Sequence, residues 1–333
     1  MKMYSTWKHY IYESYHTPRR FIYNLFDEPA IVLLYHRVYE SELDSQKLCI
    51  SPDNFYQQIE YLKKNHNLLA TEEFYSVLHQ KKRFPSRTVL LTFDDGYADN
   101  VHQALSILES LSAHAMFFIT TSLIDTDQEF WWDSLERVFF ESPILPAKLV
   151  LSACNTSLDY LIKSSKDRMR AYSSLHHLLK YSQPSTRNEI VKHILQWASI
   201  PLQGRSTHRV MNSAEVQKMA KSQVASIGAH TYSHAPLKIL TTDQQREDIL
   251  QSKITLERLT GNSINYFSYP FGLKKDYDTR SIALCKELGF KMACSNYYDH
   301  VHSWTDPYQI PRMIVRNWPL DIFKEKINQF LCA

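Results

Sequence analysis

Short apolar runs alternate with helical patterns along most of this chain, and the runs stop at polar signals. Residues 30–35 (AIVLLY), 88–93 (TVLLTF) and 115–119 (AMFFI) each have the length and composition of a buried strand. Ser51-Pro52-Asp53 opens a helical pattern through Phe55, Ile59 and Leu62, with Ser51 or Asp53 as its cap. Thr71-Glu72-Glu73 opens a second helix, and a third runs over about 98–111. The alternation resumes after residue 212. Ser213 starts a helix, 224–227 is a strand, and Thr241 or Asp243 starts a long amphipathic helix to Leu259. Strands over 265–269, 290–294 and 310–315, a helix over 278–288 and a closing helix from Leu320 complete the pattern. This order demands an α/β fold with a mostly parallel sheet or barrel, whose chemistry gathers at the carboxyl ends of the strands. Those ends carry His36, Asp94-Asp95, His230 and Phe271-Gly272.

Residues 125–212 break the rhythm with Phe130, Trp131 and Trp132 followed by Leu-, Lys- and Ser-rich stretches, and read as a mainly helical insertion. Residues 1–29 read as a polar, aromatic-rich lead-in, which leaves 30–333 as one domain containing the insertion. A net charge of +3 is too small to argue for nucleic acid or an anionic membrane surface. Five cysteines without a C-x-x-C exclude a disulfide scaffold and a cysteine zinc ribbon. The lead-in lacks the apolar core of a signal peptide, and no run approaches the ~18 apolar residues of a membrane span. The expectation is a cytoplasmic protein with no integral membrane segment.

Two motifs offer chemistry. In Thr92-Phe93-Asp94-Asp95-Gly96, two adjacent carboxylates repel each other unless a cation stands near, and one can bind metal while the other acts as base. The plain alternative is a pair of helix-capping aspartates. In Gly228-Ala229-His230-Thr231-Tyr232-Ser233-His234, two histidines four apart converge if the segment turns helically, and imidazole suits zinc-like ions. With 15 histidines in the chain, such a spacing also arises by chance. Together the motifs supply two histidines and one carboxylate, Asp95, as a ligand set with open positions. Asp94 is then free to take a proton.

TFDDG, H-T-x-S-H and Phe267-Ser268-Tyr269-Pro270-Phe271-Gly272 resemble three motifs of the polysaccharide deacetylases, the NodB-like carbohydrate esterases, over roughly 30–125 and 213–316. The resemblance implies a distorted (β/α) barrel that removes acetyl groups from N-acetylated sugars. It makes Asp94 the base and Asp95, His230 and His234 the ligands of a divalent metal. Zinc is expected first, and the same donors accept cobalt, nickel or iron. The Phe267–Gly272 segment lines the groove in the family, and a backbone N–H near Phe271 helps form the oxyanion hole. Many members carry an arginine where this chain has Ser268. Arg312, in Ile310-Pro311-Arg312, is the candidate replacement, against the alternative of a surface ion pair.

The family's late Leu-x-His motif, source of the general acid, is not evident after residue 272, and His300 and His302 fit it poorly. Leu34-Tyr35-His36-Arg37-Val38 resembles a permuted subgroup of biofilm and envelope polysaccharide deacetylases with this histidine on the first strand, which makes His36 the acid. Tyr269, Pro270, Phe271, Arg312 and Trp132 are expected to meet the substrate, Trp132 by stacking on a sugar ring, although paired tryptophans are more often core. Gly96, Gly228 and Gly272 adjoin the expected site, where close approach of backbone to metal or substrate would account for them. The expected partner is an N-acetylated saccharide. Another metal-dependent amidase or phosphoesterase, and a silent glycan-binding module of the same fold, are the rival readings.

Overall fold

The computed structural model describes residues 23, 24, 26–153 and 156–332; most of the expected lead-in, residues 1–22, lies outside them. One parallel sheet organises the molecule. Its strands are β1 (Ile31–Tyr35), β2 (Asn67–Leu68), β3 (Thr88–Phe93), β4 (Ala115–Ile119), β5 (Ala225–Ala229), β6 (Tyr266–Ser268), β7 (Met292–Cys294) and β8 (Met313–Ile314). The sheet order is β7-β6-β5-β4-β3-β1-β8, with β2 paired to the start of β3. β1, β3 and β4 are buried along their whole length, as a parallel sheet covered on both faces requires.

The sheet curls until one segment touches both of its edges. Ile310 bridges Cys294 at the β7 edge, and Met313 and Ile314 pair with Leu33 and Leu34 of β1. This closure makes the α/β fold a distorted barrel, as expected. Helices cover its outside, capped where the sequence places them: Ser51 accepts from the Asn54 N–H, Thr241 from Gln244, and Asp278 from Arg280 and Ser281.

The insertion is not wholly helical. Besides the helices Trp131–Glu136, Ser165–Lys180 and Pro184–Trp197, it contains an antiparallel hairpin, Lys148–Ala153 with Thr156–Leu161. Leu149 and Leu151 point into the insertion's own core while Val150 is exposed, the period-two pattern of a strand with one wet face.

Gly96 sits at φ +81°, and a Cβ there would lie 2.8 Å from the Ile119 side chain. A Cβ on Gly228 would lie 2.6–2.8 Å from Phe118 and Met116. These two glycines are required by packing on β4, not by approach to a substrate as the sequence suggested.

Candidate active site

The strand ends converge on a cavity of about 280 Å³ whose walls include His36, Asp94, Asp95, Trp132, His230 and His234. Asp94 follows β3, and its N–H donates to the Tyr35 carbonyl at 3.1 Å, tying the ends of β3 and β1 together. His36, the next residue on the β1 side, has its carbonyl held by the Asn100 amide at 2.8 Å.

Asp95, His230 and His234 bring one ligand atom each within 4.8 Å of one another, and all three are buried. Nε2 of His234 is 3.1 Å and Nε2 of His230 is 3.6 Å from Asp95 Oδ1. Two ligands each ~2.0–2.1 Å from a tetrahedral zinc lie ~3.4 Å apart, so the donor set and its spacing fit a divalent ion. His230 Nδ1 stands 2.8 Å from the Ser268 carbonyl, which fixes its proton there and leaves the Nε2 lone pair facing Asp95. Burial pushes His234 down to about 4, so its imidazole is neutral, as a ligand must be. Burial also opposes charge on His230, but Asp94 and Asp95 outweigh it and raise its pKa; a divalent cation held between these groups would supply the positive charge in place of that proton.

The histidines do not converge by a helical turn. Thr231 and His234 both adopt left-handed backbone, at φ +62° and +52°, and Asp95 does so at +75°. Non-glycine residues held this way cluster at functional sites. The 231–234 turn is clamped from outside. Asp248 accepts from the Ser233 N–H at 2.8 Å and from its hydroxyl at 3.1 Å. Buried Arg187, from the insertion, donates to the Ser233 carbonyl at 2.6 Å. Arg187 escaped the sequence reading, yet it carried a signal: a charge on the same helix face as buried Ile190 and Ile194.

Arg312 resolves the question raised by Ser268. Its guanidinium bonds Asp94 Oδ1 at 2.8 Å and Oδ2 at 2.6 Å, and Nη2 also donates to the Ser268 hydroxyl at 2.9 Å. The small serine leaves room for an arginine that enters from the closing segment. Burial disfavours the Asp94 carboxylate, but Arg312, helped by His230, holds its pKa below the usual carboxylate range. Asp95 is lowered as well, against burial, by His230 and His234 beside it. Burial holds the His36 pKa below its ordinary value, and Asp95 and Asp94 offset only part of that fall.

The residues expected to meet the substrate divide. Trp132 and Phe271 line the cavity. Trp132 stacks on Phe130 at 4.3 Å and donates its indole N–H to the Tyr97 hydroxyl at 2.8 Å, so it is both wall and core. Phe271 sits at φ +60° with Gly272 N–H bonded to the Pro270 carbonyl at 2.7 Å, a tight γ-type turn, and its ring packs on His234. Arg312, Tyr269 and Pro270 are buried behind the wall and do not line the cavity. Tyr269 stacks flat on Tyr277 at 4.1 Å, and the Arg312 fork is spent on Asp94. His176 and Lys180, which the motifs did not flag, add to the wall from the insertion. His300 packs against Phe330 of the C-terminal helix, away from the cavity.

Asp133, Glu136 and His208 form a second buried group with ligand-type atoms. Its carboxylates are already engaged: Asp133 accepts from the Tyr97 hydroxyl, Glu136 accepts from the Ser45 N–H, and Arg205 approaches Glu136 to 3.7 Å.

The sequence model of the family described as polysaccharide deacetylase matches residues 81–142 and 174–293, more than half of the chain. The chain belongs to the polysaccharide deacetylase family. The activity of this deacetylase is therefore that of a carbohydrate-modifying hydrolase. Solved structures share its fold. The Streptococcus pyogenes deacetylase PplD, in complex with acetate, superposes with a TM-score of 0.59 at 16% identity, covering 90% of this chain and 99% of its own. IcaB from Ammonifex degensii gives 0.58 at 17% identity, with 92% and 98% covered. A de-N-acetylase from Aggregatibacter actinomycetemcomitans gives 0.56 at 15% identity, with 90% and 100% covered. No curated protein matches the sequence of this deacetylase. Among its described residues no helix is long and apolar enough to cross a membrane.

Proposed function

We propose that this polysaccharide deacetylase hydrolyses the acetamide of N-acetylhexosamine units, with Asp95, His230 and His234 holding a divalent ion, zinc first among the candidates. The observation that carries the reading is the convergence of three ligands, an arginine-held carboxylate and His36 on one cavity. A divalent ion bound there supplies Lewis-acid polarisation of the acetamide carbonyl and makes water more acidic.

In this reading Asp94, kept ionised by Arg312, accepts the proton of the attacking water. The N–H of Phe271 donates to the oxygen that gains negative charge as the carbonyl carbon becomes tetrahedral. His36 gives its proton to the sugar nitrogen as the C–N bond breaks, so that a neutral amine departs and acetate remains. Trp132 and Phe271 wall the cavity and limit the water around the reacting amide. We assign the insertion to substrate choice, because it brings Trp132, His176 and Lys180 to the cavity.

Acetate release from N-acetylglucosamine oligomers, with and without chelator, tests the reading. Asp94→Asn should keep the ion and lose activity by about two orders of magnitude or more. Near-normal turnover of the metal-loaded variant would reject Asp94 as the base. Cleavage of a phosphodiester or peptide instead would reject the substrate class.

A further inference from the structure

His230 and His234 present the same ring nitrogen to Asp95 but are held by different means. His230 Nδ1 has the Ser268 carbonyl at 2.8 Å, the usual way in which a protein fixes the tautomer and tilt of a ligating imidazole. His234 Nδ1 is buried and has no hydrogen-bond partner among the described residues. Something other than a hydrogen bond on the ring therefore aims this imidazole.

Two sets of contacts do so. Around the ring, Trp132 and Phe271 meet His234 edge to face with centroids 4.8 Å away, and Phe130 stands at 5.8 Å. Close-packed rings on several sides oppose rotation of the imidazole. Along the backbone, the His234 N–H donates to the Thr231 hydroxyl at 3.0 Å. Arg187, only 4% exposed, donates through Nη2 to the Ser233 carbonyl at 2.6 Å and reaches the His234 carbonyl with Nη1 at 3.5 Å. These carbonyls flank the His234 Cα, so the guanidinium grips the backbone from which the imidazole projects. A left-handed residue such as His234, at φ +52°, persists only where its surroundings over-determine it.

Phe130, Trp132 and Arg187 all belong to the insertion. Ile190 and Ile194, on the same helix face as Arg187, share one hydrophobic core with Phe130 and Trp132, so a single packed body holds both the ring and the backbone of His234. We propose that the insertion is part of the metal centre: Arg187 and Trp132 are positioning residues that set, through His234, the affinity and coordination geometry of a divalent ion. The inference rests on the reading of Asp95, His230 and His234 as ligands, and it gives the insertion a role distinct from choosing the substrate.

The test measures zinc affinity of the full chain by competition with a chromogenic chelator. Arg187→Lys keeps the charge but not the fork, and Trp132→Leu removes the aromatic face; each should weaken zinc binding by roughly tenfold or more. Trp132→Phe keeps a ring against His234 and should bind zinc within about twofold of the wild type. Asn188→Ala, an exposed neighbour of Arg187 on the same helix, should leave zinc affinity unchanged. With cobalt in place of zinc, the ligand-field absorption reports coordination geometry, and Arg187→Lys and Trp132→Leu should each alter it.

Two histidine backgrounds separate positioning from general damage to the fold. On His230→Ala, Arg187→Lys should still cost about tenfold in zinc affinity; on His234→Ala, where the ligand that it aims is gone, it should cost less than about twofold. Equal losses on the two backgrounds would overturn the proposal. If the wild type binds zinc and both Arg187→Lys and Trp132→Leu match its affinity and cobalt spectrum, the positioning role falls and the ligand assignment stands. A wild type that binds no zinc removes both.

Discussion

Arg312 holds Asp94 by both carboxylate oxygens, at 2.8 and 2.6 Å, across 218 residues of sequence. A fork of this kind fixes the carboxylate's orientation as well as its charge, and lysine cannot reproduce it.

Arg312→Lys should therefore keep the fold and the metal while kcat falls by about tenfold or more, since the charge survives and the bidentate geometry does not. Arg312→Met leaves a buried carboxylate unpaired and should cost about 3–5 kcal/mol of stability. Steady-state kinetics and chemical denaturation read the two effects. Wild-type rates in Arg312→Lys would show that the fork does not orient the base.

Metal content should depend on the proposed ligands. His230→Ala and His234→Ala should each lower zinc occupancy, measured by elemental analysis after dialysis, while Asp133→Asn in the second buried group should not. Tight one-to-one binding retained in both histidine variants would overturn the assignment.

The role of His36 is separable by leaving group. His36→Ala should turn over acetamides slowly but lose much less activity on an activated aryl acetate, whose leaving group needs no proton. Metal content and thermal unfolding should match the wild type. Equal losses on both substrates would make His36 a packing residue.

Asp248 predicts a pH dependence of stability. Burial pushes its carboxyl up to about 6, against the bonds from Ser233. A carboxyl raised in the folded state stabilises the fold below its unfolded pKa, and that contribution is lost as pH rises through the folded one. Between about pH 4 and 7 the wild type should lose on the order of 3 kcal/mol through this group. Asp248→Asn removes the titration, so its stability relative to wild type should climb over the same interval. A pH-independent difference in urea denaturation would contradict the shift.

The barrel was legible because β1, β3 and β4 are dense apolar runs that end at punctuating polar residues, and both faces of such strands must be covered. Asp94, Asp95, His230 and His234 were legible because strand ends are where such a fold exposes side chains. The route by which the histidines converge was not: two left-handed residues in a non-glycine turn leave no trace in a spacing rule. The hairpin was hidden by its place among helical stretches, where alternation at Leu149, Val150 and Leu151 is easily passed over. The Arg312 fork and the Arg187 clamp depend on contacts between distant segments. Sequence offered Arg312 both as Asp94's partner and as a substrate contact, and only the closure of the sheet separates the two.

That closure sets an order of events during synthesis. Asp94 and its neighbours on β1 and β3 leave the ribosome long before the segment that carries Arg312. The proposed ligands Asp95, His230 and His234 are also complete before that segment exists. A nascent chain can thus hold the proposed ligands yet lack the guanidinium that pairs with Asp94. The same segment that closes the sheet also places the guanidinium on Asp94, so that carboxylate stays unpartnered by Arg312 until residue 312 has been made.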